Sequence, residues 1–318
     1  MMKAQEVKSR LKGNVVPVPG QFNEDLSLNL QGYKDHVAFL LEKGVRIYYL
    51  ALSASEFDCM SQKERISVTE TVAGCLDDSC LLIAQAVAAG ALEEQAAEAR
   101  DLIAAGAHAA VTAPKSIKEG NKFFSSFYSK AGYSPSRHDQ YYIDYMKAFA
   151  DILQAPIVYH DKAFKSGKGP SMAMLDAILD IELVAGLKEH VPDPLTLRNI
   201  YSRYGSKVAC FDGFGKTLQF WSMQWGASAR HSCWSWFDPK TDQDFVESIS
   251  KGDLAAASEI VNNEWPVMDA ICQTGFAGYK YMMHLIGLPG GPCRIPGEVL
   301  SDQEKDVVKK AAKQIGLI

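Results

Sequence analysis

Eight short apolar runs recur along the chain with helical segments between them, and this alternation constrains the fold more than any other feature. The runs are NVVPV (14–18), VRIYYLAL (45–52), CLLIAQAV (80–87), HAAVTA (108–113), APIVYH (155–160), ELVAGLK (182–188), KVACFDG (207–213) and ASARHSC (227–233). Between them, segments such as LNLQGYKDHVAFLLEKG and LEEQAAEARDLIAAG carry the helical period and end on a glycine where a helix C-cap belongs. Strands that alternate with helices pair in parallel, and eight such repeats predict a (β/α)8 barrel over residues 1–251. A hydrophobic content of 47 % is enough to fill one barrel of this size. From 252 to 318 the chain reads as helix, with GDLAAASEIVNNEWPVMDAICQ, GYKYMMHLIG and SDQEKDVVKKAAKQIG, and a C-terminal helical extension is expected there.

The predicted strand starts are evenly spaced except after the fourth, where KSIKEGNKFFSSFYSKAGYSPSRHDQ (115–140) is inserted. In a barrel this basic, aromatic insertion belongs to the face where active sites are built, as a substrate lid, a surface excursion or a subunit contact.

A net charge of −5, without long like-sign runs, gives no electrostatic footprint for nucleic acid or an anionic membrane, and no stretch is long and apolar enough to span a bilayer. A small-molecule partner is expected instead. Seven cysteines, odd in number and without CxxC spacing, read as thiols in a reducing compartment. The start of the chain lacks the apolar core of a signal peptide, so a cytoplasmic location is expected. The seven histidines show no metal-ligand spacing, and no metal site is expected.

The sixth run stops on Lys188. At the C-terminal end of a barrel strand its side chain enters the mouth, and poor solvation there favours the free amine, which can form an imine with a ketone. Tyr159 closes the preceding strand, so its phenol is expected at the same rim as an acid–base group. After the second strand, the turn Ser53-Ala54-Ser55 offers N–H groups and hydroxyls of the kind that hold a carboxylate, and Ser61 with Glu64 forms a capping box for the next helix. Ser232, at the end of the eighth run, is expected to face the same rim. His160 and His190 lie next to or near the two proposed catalytic residues, and either could line the mouth. GFGK (213–216) reads as a strand-to-helix turn or a weak phosphate loop.

In order and spacing these pieces resemble the dihydrodipicolinate synthase / N-acetylneuraminate lyase family of class I aldolases. LSASEF stands for the family's GTTGE, IVYHDK for its (I/L)xYNxP and GLKE for its GxKE, and GGPCRIP…LSDQEKDVVKKAAKQIGL is similar to its C-terminal end. The resemblance implies a Schiff-base lyase, an aldolase or dehydratase, acting on a 2-oxo acid such as pyruvate or a deoxy-sugar acid. It implies no cofactor and a homodimer or homotetramer. By the match Lys188 is the imine lysine, Tyr159 the proton shuttle, and Ser53 and Ala54 stand for the two threonines of the turn. The departures bear on substrate. Ala54 lacks a hydroxyl, PKS at 114–116 replaces the family's PYY, and Lys165 replaces an arginine that would grip a carboxylate bidentately. These changes argue against a lysine-biosynthesis synthase, and EF after the turn is similar to dehydratases of acidic deoxy-sugar acids. The altered turn and the missing relay also allow a non-catalytic sensor of small acids on the same fold.

Overall fold

Eight parallel strands close on themselves in the computed structural model, which describes residues 2–114, 135–161 and 170–318. They are β1 (Gly13–Pro17), β2 (Ile47–Leu50), β3 (Leu81–Gln85), β4 (Ala109–Thr112), β5 (Ile157–His160), β6 (Val184–Glu189), β7 (Ala209–Asp212) and β8 (Ala229–His231). Each pairs with the next and β8 returns to β1, so the expected (β/α)8 barrel is the fold of this chain. Most strands are shorter than the apolar runs that hold them, although β1 starts one residue before its run and β6 ends one residue past its own. Nearly every strand residue is buried, as a sheet covered by helices on one face and filled by its own side chains on the other requires.

Helices return the chain between strands: α1 (Ala4–Arg10) precedes β1, and α2 (Leu30–Glu42), α3 (Gln62–Ala73), α4 (Leu92–Ala104), α5 (Pro135–Leu153), α6 (Met172–Leu179), α7 (Pro194–Tyr204) and α8 (Lys216–Gln224) follow β1 to β7. Local chemistry sets their starts. The Ser61–Glu64 capping box opens α3 as expected, and Asp193 followed by Pro194 opens α7. Most of the 115–140 insertion and Lys165 lie outside the described residues.

After β8 come α9 (Pro239–Lys251), α10 (Leu254–Leu285) and α11 (Asp302–Gln314). α10 is broken at Gly275, whose φ of 58° and ψ of −151° are open only to glycine. A Cβ there would also fall 2.5 Å from the Glu298 carboxylate, which accepts the Ala277 N–H beyond the break. The break turns Phe276 and Tyr279 toward the barrel mouth. A buried ion pair fastens α10 to the barrel: Lys280 Nζ lies 2.5 Å from Glu56, in the turn after β2. Among the described residues no helix is long and apolar enough to cross a membrane.

Candidate active site

A cavity of about 320 Å³ occupies the C-terminal mouth of the barrel, and Lys188 reaches it from the end of β6. The lysine is only 4 % exposed, and its Nζ lies 4.8 Å from the centroid of the Tyr49 ring. Ser53, Ala54 and Ser232 line the same cavity, as the sequence led one to expect. Ser55 does not. Its hydroxyl turns back into the strand, accepting the Ala51 N–H at 2.9 Å and donating to the Tyr49 carbonyl at 3.3 Å, so it shapes the turn instead of facing a ligand.

The structure brings His160, and not Tyr159, to the cavity beside Lys188. Pairing between β5 and β6 starts at Ile157 with Val184 and then steps to Val158 with Gly186, skipping Ala185. Past that irregularity His160 stands opposite Lys188, and Tyr159 stands opposite Leu187. Successive strand residues point to opposite faces, so a one-residue change in register decides which of two neighbours enters the mouth. Tyr159 is fully buried on the other face and donates to Asp161 at 3.1 Å. Burial, reinforced by Asp161, raises its pKa well above that of an ordinary phenol.

Four side chains form a connected row around the lysine. The Tyr49 hydroxyl donates to Gln85 Oε1, which also faces the Leu52 N–H at 3.5 Å. That orientation leaves the Gln85 amide nitrogen, a donor only, against His160 Nδ1 at 3.3 Å. His160 Nε2 then faces His190 Nδ1 at 3.2 Å. Gly213 makes room for this row: a Cβ there would meet the His190 ring at 2.2 Å. Of these four, the sequence signalled only the two histidines.

A second lysine reaches the cavity unannounced. Lys216, at the first turn of α8 in the GFGK segment, is buried against Asp242 at 2.6 Å, with Glu264 of α10 as a second partner. Its Nζ also lies 4.7 Å from the Trp234 ring centroid. Arg230 completes the cluster, 2.8 Å from Asp242. Burial pulls the Lys216 pKa down to about 7, while Asp242 acts in the opposite direction. The two carboxylates oppose that shift, so Lys216 keeps more of its charge than burial alone would leave it.

The outer face of the same strands carries an acid pair. Glu189 and Asp212 are register partners on β6 and β7, both fully buried. Tyr201 of α7 donates to Glu189 at 2.6 Å, and the Phe214 N–H donates to Asp212 at 2.5 Å. Burial raises both acids, Glu189 well above its usual range with Asp212 adding to the effect, and Asp212 to about 6. A folded pKa raised above the unfolded value favours folding at low pH, and that contribution is lost as pH rises through about 6. Asp212→Asn is therefore expected to stabilise the protein at pH 8 by roughly 1–3 kcal/mol and to leave it nearly unchanged at about pH 3.5, below the unfolded value. Thermal melts at the two pH values check this; a variant less stable than wild type at pH 8 contradicts it.

The model of the dihydrodipicolinate synthetase family matches residues 10–315. The chain belongs to this family. Its curated relatives are distant. It is 22 % identical to a 4-hydroxy-tetrahydrodipicolinate synthase of Methanosphaera stadtmanae, covering 97 % of this chain and 99 % of the relative. It is also 22 % identical to a probable 5-dehydro-4-deoxyglucarate dehydratase of Saccharopolyspora erythraea, covering 98 % and 96 %. Among solved structures, dihydrodipicolinate synthase from Oceanobacillus iheyensis superposes with a TM-score of 0.85 at 17 % identity, covering 99 % of this chain and all of the other. N-acetylneuraminate lyase from Fusobacterium nucleatum gives 0.81 at 19 %, covering 96 % and 99 %. At such identities the superpositions speak for the barrel alone. Members of the family are class I lyases, and this chain is a lyase of that family.

Proposed function

We propose that the protein is an imine-forming lyase, an aldolase or dehydratase, whose substrate is a 2-oxo acid such as pyruvate or a deoxy-sugar acid. One observation carries the reading: a buried lysine at the end of β6 projects into the cavity at the barrel mouth, where bulk water does not hold its charge. The Lys188 amine attacks the ketone, while N–H groups of the Ser53–Ala54 turn hold the carboxylate, with Lys165 as a further contact. The His160–His190 pair moves one proton from the nitrogen to the oxygen to form the carbinolamine. It then delivers a second proton, drawn from solvent, to the hydroxyl as it leaves as water, so the nitrogen keeps its remaining proton; the sequence assigned this part to Tyr159. The protonated imine then withdraws electrons, so that a neighbouring carbon–carbon bond breaks or a hydroxyl leaves. Seven free thiols suit a cytoplasmic enzyme, and the family resemblance suggests a homodimer or homotetramer, for which sedimentation is the check.

The experiment is borohydride reduction in the presence of pyruvate and longer 2-oxo acids, followed by peptide mapping. An adduct of pyruvate mass on Lys188 supports the reading. An adduct confined to Lys216 overturns it, and binding without any adduct favours a sensor of small acids. His160→Gln is expected to lower kcat by roughly 10²- to 10⁴-fold, and Tyr159→Phe by less than about tenfold. Steady-state rates on one substrate decide between them, and the reverse ranking returns the shuttle to Tyr159.

A further inference from the structure

The nitrogen that would carry the imine lies against an aromatic face. Lys188 Nζ is 4.8 Å from the centroid of the Tyr49 ring, within the range at which a ring quadrupole attracts a cation. That ring is held on several sides. Tyr49 is fully buried on β2, its ring meets His231 edge-on at 5.8 Å and 76°, and its hydroxyl is fixed by Gln85. Burial raises the phenol's pKa, so the ring stays neutral over the working range. Nothing in the sequence marked this residue, which sits mid-strand in an apolar run.

We propose that Tyr49 is a catalytic residue of the imine reaction, its ring face keeping the Lys188 imine in the protonated form. The proposal rests on the imine reading above. A cation–π contact favours the resting ammonium and the protonated imine alike, so it does not drive condensation. What it opposes is loss of the proton from the imine nitrogen. That loss would matter, because a neutral imine is a poor electron sink.

Other titratable groups line the same cavity. His231 of β8 is held well below the usual histidine range by burial and then by Lys188, so it stays neutral. The Cys233 thiol is pushed up to about 12 by burial, so it stays protonated. His160 and His190 are bonded to each other, Arg230 is paired with Asp242, and Lys216 with Asp242 and Glu264. Their titration acts equally on proteins that differ only at the Tyr49 ring, so a difference between such proteins isolates the ring.

The test uses cyanoborohydride, which reduces the protonated imine, with pyruvate and the full-length protein from pH 5 to pH 10. Adduct on Lys188 is read by mass. Three proteins are compared: wild type, Tyr49→Phe, and the protein with 3,4,5-trifluorophenylalanine at position 49, which keeps the ring's shape while removing its negative face. Tyr49→Phe controls for loss of the hydroxyl and of its bond to Gln85. Trapping falls at high pH as the imine loses its proton. The fall is expected at the same pH in wild type and Tyr49→Phe, and about 0.4–1.5 pH units lower in the fluorinated protein. Coincident falls in Tyr49→Phe and the fluorinated protein, with adduct present on Lys188, overturn this proposal alone. Absence of adduct from wild type at every pH removes the imine reading and this proposal with it.

Discussion

Lys188→Ala should yield no reducible adduct with any 2-oxo acid and lose roughly 10³- to 10⁶-fold in kcat, the range seen when a covalent nucleophile is deleted. The size follows from what the substitution removes. On the proposed mechanism, removing the amine leaves no imine and no electron sink, only the binding proposed for the Ser53–Ala54 turn and whatever polarisation the bordering histidines supply. The substitution should not unfold the protein, because it takes a polar group out of a buried site and leaves the Tyr49–Gln85–His160–His190 row in place. A melting temperature near that of wild type, with activity gone, separates a chemical loss from a structural one. Lys188→Ala retaining more than about a tenth of wild-type kcat would be incompatible with the mechanism.

The barrel was legible because its determinants are local. Each strand is a short apolar run closed by turn chemistry, and signals such as the Ser61–Glu64 box and the Asp193–Pro194 start act within a few residues. Lys188 was legible for a related reason, since a charge that terminates an apolar run has few places to go except the mouth of a barrel. The choice between Tyr159 and His160 was not, because it depends on where β5 pairs with β6. The skip at Ala185 is a property of two strands together and leaves no mark on either alone. Ser55 failed for a similar reason: its hydroxyl had a nearer partner in the backbone of β2 than any ligand. Lys216, Asp242 and Glu264 meet only because α9 and α10 fold back over the mouth, so the GFGK segment alone could not announce a buried cation.

The same return of the C-terminal helices sets the cost of breaking the Glu56–Lys280 pair. Glu56 sits in the turn that carries Ser53 and Ala54 and has a φ of 56°, a conformation uncommon for a residue with a side chain. Its carboxylate explains how that conformation persists. It takes Lys280 Nζ at 2.5 Å, the Arg294 N–H at 2.5 Å and the Ile295 N–H at 3.1 Å, and both members of the pair are buried. Lys280→Met keeps most of the side-chain volume and removes the charge, leaving a buried carboxylate with two backbone donors and no counter-ion. The expected loss is about 3–5 kcal/mol at pH 8, the usual cost of stranding one partner of a buried pair. Adding Glu56→Gln to Lys280→Met should recover part of the loss at pH 8, because the double variant buries no lone charge. Denaturant unfolding at pH 8 measures all three proteins. A loss below about 1 kcal/mol for Lys280→Met at pH 8 would mean that the turn is held by the backbone donors alone. Substrate binding should follow stability: as the turn loosens, KM for a 2-oxo acid rises, and the Lys188 adduct still forms once the site is saturated.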